Sequence, residues 1–149
     1  MKQSTKQYTV VTDRREQLPY GFPNSVPGTL SAGDYSLLGH ETEITIERKS
    51  LNDLFGTVGA GRARFERELA KLAGYKYAAI VIEGDLAGMF DCPPSHSQMT
   101  PQSVAASLIA WSIRFNVHVW FASSRAYGYA VTKHILDKFW KEANARAAT

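Results

Sequence analysis

The chain has a single cysteine, Cys92, among its 149 residues. A lone cysteine excludes an internal disulfide and points to a reducing, intracellular setting, cytoplasmic or, in a eukaryotic host, nuclear. It also leaves zinc little to bind, since Cys92 and His96 in "DCPPSHSQM" lack a second ligand pair. No stretch approaches the ~18 consecutive apolar residues of a membrane span, so no membrane partner is expected. The opening "MKQSTKQYTV" has none of the apolar core of a secretory leader. Repeats and low-complexity tracts are missing as well. Neither sign of charge dominates: 17 Lys and Arg stand against 14 Asp and Glu, a net +3. The resulting pI near 9.0 fits an anionic partner only weakly, so where the basic residues sit matters more than how many there are.

What is present reads as an ordinary globular chain, 44% hydrophobic and 21% charged. The length suits one domain over residues 1–149, burying roughly 68–70% of the surface its unfolded chain would expose. "YTVVT" (8–12) is a β-branched strand ending at "DRRE", and "LPYGFPNSVPG" (18–28), with three prolines and two glycines, reads as a loop. "DYSLL" (34–38) and "EITIERK" (43–49) alternate polar and apolar residues around "GHET", the pattern of a β-hairpin. "GRARFERELAKLAG" (61–74) is helical, with Phe65, Leu69 and Leu72 on one face and Gly74 as a stop. "YAAIVIEG" (77–84) is a buried strand and 85–99 a loop. Thr100 then caps a helix with Pro101 at its first position and Val104, Leu108, Trp111 and Phe115 as its apolar stripe. "VHVWF" (117–121) is a last strand, and Ser124 to about Ala143 a last helix. The order predicts an α/β fold, a mixed central sheet flanked by helices.

Alternation along "EITIERK" puts Ile44, Ile46 and Arg48 on one face and Glu43, Thr45, Glu47 and Lys49 on the other. With "GHET" as a four-residue loop, Asp34 falls directly opposite Glu47, Cβ atoms about 4.5–5.5 Å apart; a two-residue loop makes them diagonal neighbours at about 7–8 Å. Two facing carboxylates destabilise a sheet unless a cation lies between them, which points to a divalent metal with Lys49 beside it. Hard carboxylate oxygens suit Mg²⁺, which keeps waters and accepts a substrate phosphate. The chemistry this serves is phosphodiester hydrolysis, with Lys49 orienting the water or stabilising developing charge.

"GDY" (33–35) followed by "IERKSLNDL" (46–54) resembles the G-D … E-R-K-x-x-x-D signature of XPF-type structure-specific nucleases. "VTDRRE" (11–16), "GR" (61–62) and "VIEG" (81–84) are similar to further marks of that family, in the same order. The resemblance implies a restriction-endonuclease-like fold, dependence on Mg²⁺ or Mn²⁺, and cutting of branched DNA near junctions. It implies that Asp34, Glu47 and the main-chain carbonyl of Arg48 hold the metal. Asp13 and Glu16 would support the site, Asp13 serving also as a further ligand; Lys49 would act on the water, and Asp53 would complete the motif. Arg62 would lie near the active site. The chain departs from the family pattern in ending before a helix-hairpin-helix module, in carrying Glu66 where Gln is frequent, and in the loop between Asp13 and Asp34.

Ser50 and Asp53 also form a capping box, which by itself accounts for Asp53. Arg64, Arg67 and Lys71 fall within about 60° on a helical wheel. They form either a solvated face, with Glu68 pairing to Arg64 and Lys71, or a stripe that tracks DNA phosphates. Trp111, Trp120 and Trp140 read as core or a dimer contact, and Phe139 and Trp140 as an exposed apolar patch. The last two helices are therefore expected to form a homodimer, the alternative being a partner nuclease subunit. The competing functions are a Holliday-junction resolvase or restriction-type nuclease, and a non-catalytic DNA-binding subunit. Retention of Asp34, Glu47 and Lys49 together argues against the last.

Overall fold

In the computed structural model, which describes residues 7–147, β-branched and apolar runs form six strands and the amphipathic segments five helices. Most of the opening stretch read for a leader, residues 1–6, lies outside the described residues. The strands are β1 (Val10–Asp13), β2 (Ser25–Gly28), β3 (Tyr35–Leu37), β4 (Ile44–Ser50), β5 (Tyr77–Glu83) and β6 (His118–Phe121). The helices are α1 (Leu51–Val58), α2 (Arg62–Leu72), α3 (Leu86–Asp91), α4 (Pro101–Phe115) and α5 (Arg125–Ala147). One sheet holds all six strands in the order β2-β1-β3-β4-β5-β6. β3 runs antiparallel to both β1 and β4, whereas β2, β5 and β6 run parallel to their neighbours. This is the expected mixed sheet flanked by helices.

The strand period divides the core in two. Ile80 and Ile82 of β5 face α1, α2 and α4, packing with Leu54, Phe55, Phe65, Leu69 and Trp111. Ala79 and Val81 face the other way, with Ile44, Ile46, Tyr35 and Tyr20 under Leu136 of α5. The expected caps are present: Ser50 Oγ accepts from Asp53 N–H, and Thr100 Oγ1 from Ser103 N–H behind Pro101. No helix among the described residues is long and apolar enough to cross a membrane.

Three expectations need correction. The end of the 18–28 loop is an edge strand, β2, parallel to β1; its Pro27 is tolerated because an edge position requires no N–H on its open side. The 85–99 loop contains the short helix α3, whose N-terminus Asp85 caps by accepting from Gly88 N–H. Phe139 and Trp140 are not an exposed patch: both pack on the second core, where His40 lies edge-on to each ring at 5.9 and 5.8 Å. The exposed apolar side chains sit elsewhere, at Ile109 (62% exposed) and Ile113 (79%) on α4 and Trp120 (46%) on β6.

Candidate active site

Tyr35 pairs with Ile46, which sets Asp34 directly across from Glu47. This is the four-residue-loop register. Asp34 is fixed by its own backbone: its N–H donates to Ile46 C=O and its C=O accepts from Asp13 N–H, both at 2.8 Å. Its Oδ2 accepts the main-chain N–H of Arg48 at 2.8 Å. The preceding residue has to be glycine. Gly33 has φ +79°, and a Cβ there would lie 2.0 Å from Thr45 Oγ1.

Glu47 and Lys49 point the same way from β4, with Lys49 Nζ 3.4 Å from Glu47 Oε1 and the two side chains 16% and 13% exposed. Lys49 Nζ also stands 5.0 Å over the Phe65 ring, which anchors the ammonium beside the carboxylates. Burial lifts the Asp34 and Glu47 carboxyls above the usual carboxylate range. Glu47 is raised further by the charge of Asp34, and Asp34 by those of Glu16 and Asp13, with Lys49 offsetting both only in part. The two carboxyls thus raise one another's proton affinity, which a divalent cation between them would reverse.

Both carboxylates open onto a cleft of about 840 Å³ walled by Asp13, Glu16, Asp53, Arg64 and Glu68 among others. No third His, Cys, Asp or Glu joins them at ligand spacing among the described residues. Two carboxylates remain, and because Arg48 directs its N–H at Asp34, the C=O of that extended residue points to the same strand edge. Such an all-oxygen, partly filled set fits Mg²⁺ or Mn²⁺, which retain waters, better than it fits zinc.

Asp13 takes the supporting role expected of it, but its oxygens are engaged in a way that leaves no room for the further role of ligand. Its Oδ1 accepts from Arg15 N–H and Nε, and its Oδ2 from Arg15 Nη2 and Leu30 N–H, at 2.8 to 3.0 Å. The hydrogen bonds from Arg15 outweigh burial and hold its carboxyl down at about 2. With both oxygens doubly engaged it has no lone pair to spare for a metal. Asp13 is therefore scaffold and is withdrawn from the ligand set.

Arg48 turns its side chain to the opposite face, as alternation requires. Its Nε and Nη2 each donate to Glu83 at 2.9 Å, and Nη1 reaches Glu16 at 3.4 Å. Burial pushes the Glu83 carboxyl up, but the bonds from Arg48 and Tyr20 outweigh it and the net shift is downward. Sequence reasoning missed Tyr20 and the role of Glu83; the only signal was the "VIEG" match, which marks Glu83 without naming its partner. Asp53 is exposed at the cleft wall, where its N–H is used by the Ser50 cap.

The basic residues of α2 separate. Arg64, Arg67 and Lys71 are exposed on the outer face, Lys71 pairing with Glu68 at 3.6 Å and Arg64 reaching the cleft wall. The expected Arg64–Glu68 pair is not among the ion pairs of the described residues. Arg62, expected near the active site, instead lies 4.9 Å over Trp111 and donates to Ser107 Oγ at 2.8 Å. Glu66 explains its own presence there: it pairs with Arg62 at 3.3 Å and accepts Trp111 Nε1–H at 3.1 Å.

The family model for the ERCC4 domain matches residues 6–135. The chain belongs to that family. This ERCC4 domain is 33% identical over 92 residues to the DNA repair endonuclease XPF of Cricetulus griseus, a match covering 60% of the chain and 10% of that protein. Against the DNA repair endonuclease XPF of Mus musculus it is 30% identical over 124 residues, 76% of the chain and 13% of that protein. The chain thus spans about a tenth of the length of these relatives. Among solved structures, XPF from Aeropyrum pernix superposes with a TM-score of 0.68 at 20% identity, covering 87% of this chain and 60% of that one. XPF from Aeropyrum pernix in complex with DNA gives 0.68 at 22% identity, covering 92% and 66%. At these identities the likeness establishes the fold.

Proposed function

We propose that this ERCC4 domain is a structure-specific endonuclease that hydrolyses phosphodiester bonds in branched or junction DNA, using Mg²⁺ or Mn²⁺. The observation that carries it is the facing pair of half-buried carboxylates, Asp34 and Glu47, with Lys49 3.4 Å from Glu47 at the floor of an open polar cleft. The names of the mammalian relatives and of the DNA-bound neighbour support the substrate class.

Asp34, Glu47 and the Arg48 carbonyl would hold the ion. When bound, it supplies a Lewis acid for the scissile phosphate and an acidified water. Lys49 orients the attacking water and stabilises the charge that develops on the phosphate, its ammonium fixed by Glu47 and Phe65. Asp13, locked by Arg15, fixes the strand that bonds to Asp34, and Glu16 helps hold Arg48. Arg64, at the cleft wall, and Arg67 and Lys71 beyond it track the phosphates leading into the site.

A panel of labelled flaps, forks, four-way junctions and plain duplex tests this. The reading expects cutting of flaps or forks well above duplex; preference for four-way junctions favours a resolvase, and preference for plain duplex a restriction-type enzyme. Failure to cut any of them would leave the non-catalytic DNA-binding subunit.

A homodimer, or pairing with a nuclease subunit, completes the proposal. The unpartnered apolar stripe Ile109 and Ile113 on α4 supports it, and a symmetric pair holds two duplex arms at once. Ile113→Asp should convert a sedimenting dimer to monomer; a wild-type monomer that cuts junctions would contradict the homodimer.

A further inference from the structure

The loop between Asp13 and Asp34, the part of the chain that departs from the family pattern, delivers a buried tyrosine beneath both ligand strands. Tyr20 is 4% exposed and lies on the sheet face opposite the carboxylates, among Ile44, Ile46 and Tyr35. It makes one contact toward each ligand. On the Asp34 side, Tyr20 N–H donates to the hydroxyl of Tyr35, Asp34's neighbour, at 2.8 Å, and the two rings stack at 5.2 Å and 16°. On the Glu47 side, Tyr20 O–H donates to Glu83 Oε2 at 2.6 Å, the same oxygen that accepts Arg48 Nε–H at 2.9 Å. The Arg48 guanidinium lies 5.4 Å over the Tyr20 ring.

The tyrosine is itself held from outside by α5. Arg125 stands 5.0 Å over its ring and donates to the carbonyls of Leu18 and Pro19. Gly128 leaves room for the hydroxyl: a Cβ there would come 2.3 Å from Tyr20 Oη. No substrate could reach Tyr20 on this buried face, so any effect it has on cleavage must pass through Arg48 and Tyr35.

We propose that Tyr20 is a positioning residue for the Asp34–Glu47 site, setting the separation of the two ligand strands through Tyr35 and through the Glu83–Arg48 pair. The inference rests on the nuclease reading above. A ligand pair opposed across two strands binds one small ion only at one spacing, and outer partners of this kind typically contribute 10–100-fold to metal affinity or activity.

The decisive variant is Tyr20→Phe, which keeps the ring contacts with Tyr35, Arg48 and Arg125 and the main-chain bond and removes only the hydroxyl. Free Mn²⁺ followed by electron paramagnetic resonance reads affinity on the DNA-free protein. Affinity should fall about tenfold, with kcat falling alongside and KM for DNA unchanged. Tyr129→Phe is the control: its ring lies 5.9 Å from Tyr20 in the same cluster but makes no bond to Glu83, and it should match wild type. Gly128→Ala crowds both ends of the Tyr20–Glu83 bond from α5 and should act in the same direction as Tyr20→Phe, deciding the matter if the latter fails to fold. Wild-type Mn²⁺ affinity in Tyr20→Phe, or an equal loss in Tyr129→Phe, would overturn the inference while leaving the nuclease reading intact. A wild-type protein that binds no Mn²⁺ would overturn both.

Discussion

Arg48 donates its main-chain N–H to Asp34 while its guanidinium closes on Glu83 of the neighbouring strand, so one residue ties a carboxylate on one face to a half-buried ion pair on the other. Between Glu47 and Lys49 in the sequence, it links the site to the second core. The electrostatic cost falls on Asp34 and Glu47, whose burial and mutual repulsion Lys49 offsets only in part.

That cost predicts a pH effect on the metal-free protein. A carboxyl whose pKa is raised by folding destabilises the fold once pH exceeds its unfolded value of about 4, increasingly so up to the raised value. Metal-free wild type should therefore lose thermal stability from pH 5 to pH 8, and Glu47→Gln should lose less and melt higher at pH 8. A Glu47→Gln protein melting below wild type at pH 8 would remove the argument from repulsion.

Gly33→Ala should be among the most damaging conservative changes. A left-handed non-glycine residue costs about 1–3 kcal/mol, and the new methyl would overlap Thr45 Oγ1. Denaturant unfolding should show at least that loss, with cleavage lost too because Asp34 follows directly. Unchanged stability would mean the turn relaxes freely.

Asp13 should behave as scaffold. Its carboxyl is held at about 2, below the unfolded value, so it stabilises the fold above about pH 4 and that stability disappears as pH falls through 2. Asp13→Asn should cost about 2 kcal/mol at pH 7 and little at pH 2, while Mn²⁺ still binds. Loss of Mn²⁺ binding in a folded Asp13→Asn protein would restore it to the ligand set.

The α2 stripe makes a separate prediction. Replacing Arg64, Arg67 and Lys71 with Ala should weaken DNA binding and lower the log–log salt slope by about 0.9 for each phosphate no longer neutralised. Thermal stability should barely change, since all three are exposed. An unchanged slope would mean a solvated face.

Strand alternation was enough to put Asp34 and Glu47 on one face, because that pattern is local; the choice between the direct and the diagonal register rested on the turn, which the Tyr35–Ile46 pairing decides. The same locality made the Ser50 and Thr100 caps legible. Tyr20 and Glu83 were not, since their bond spans 63 residues and depends on how α5 presses the loop. Only the family resemblance made Asp13 a ligand, and it takes the wrapping of Arg15, two residues on, to show that its oxygens are taken. Phe139 and Trp140 read as an exposed patch because sequence cannot show how much of a six-stranded sheet one helix must cover.

The central claim, that Asp34 and Glu47 form a metal-dependent cleavage site, is tested most directly by single-turnover cutting of a labelled branched DNA. Wild type and Glu47→Gln would be compared at saturating protein, each with Mg²⁺ and with excess chelator. The account predicts cutting by wild type with Mg²⁺ alone, and binding without cutting by Glu47→Gln. Cutting by wild type in chelator, or by Glu47→Gln at more than about a tenth of the wild-type rate, a loss under about 1.4 kcal/mol in the barrier, would contradict it.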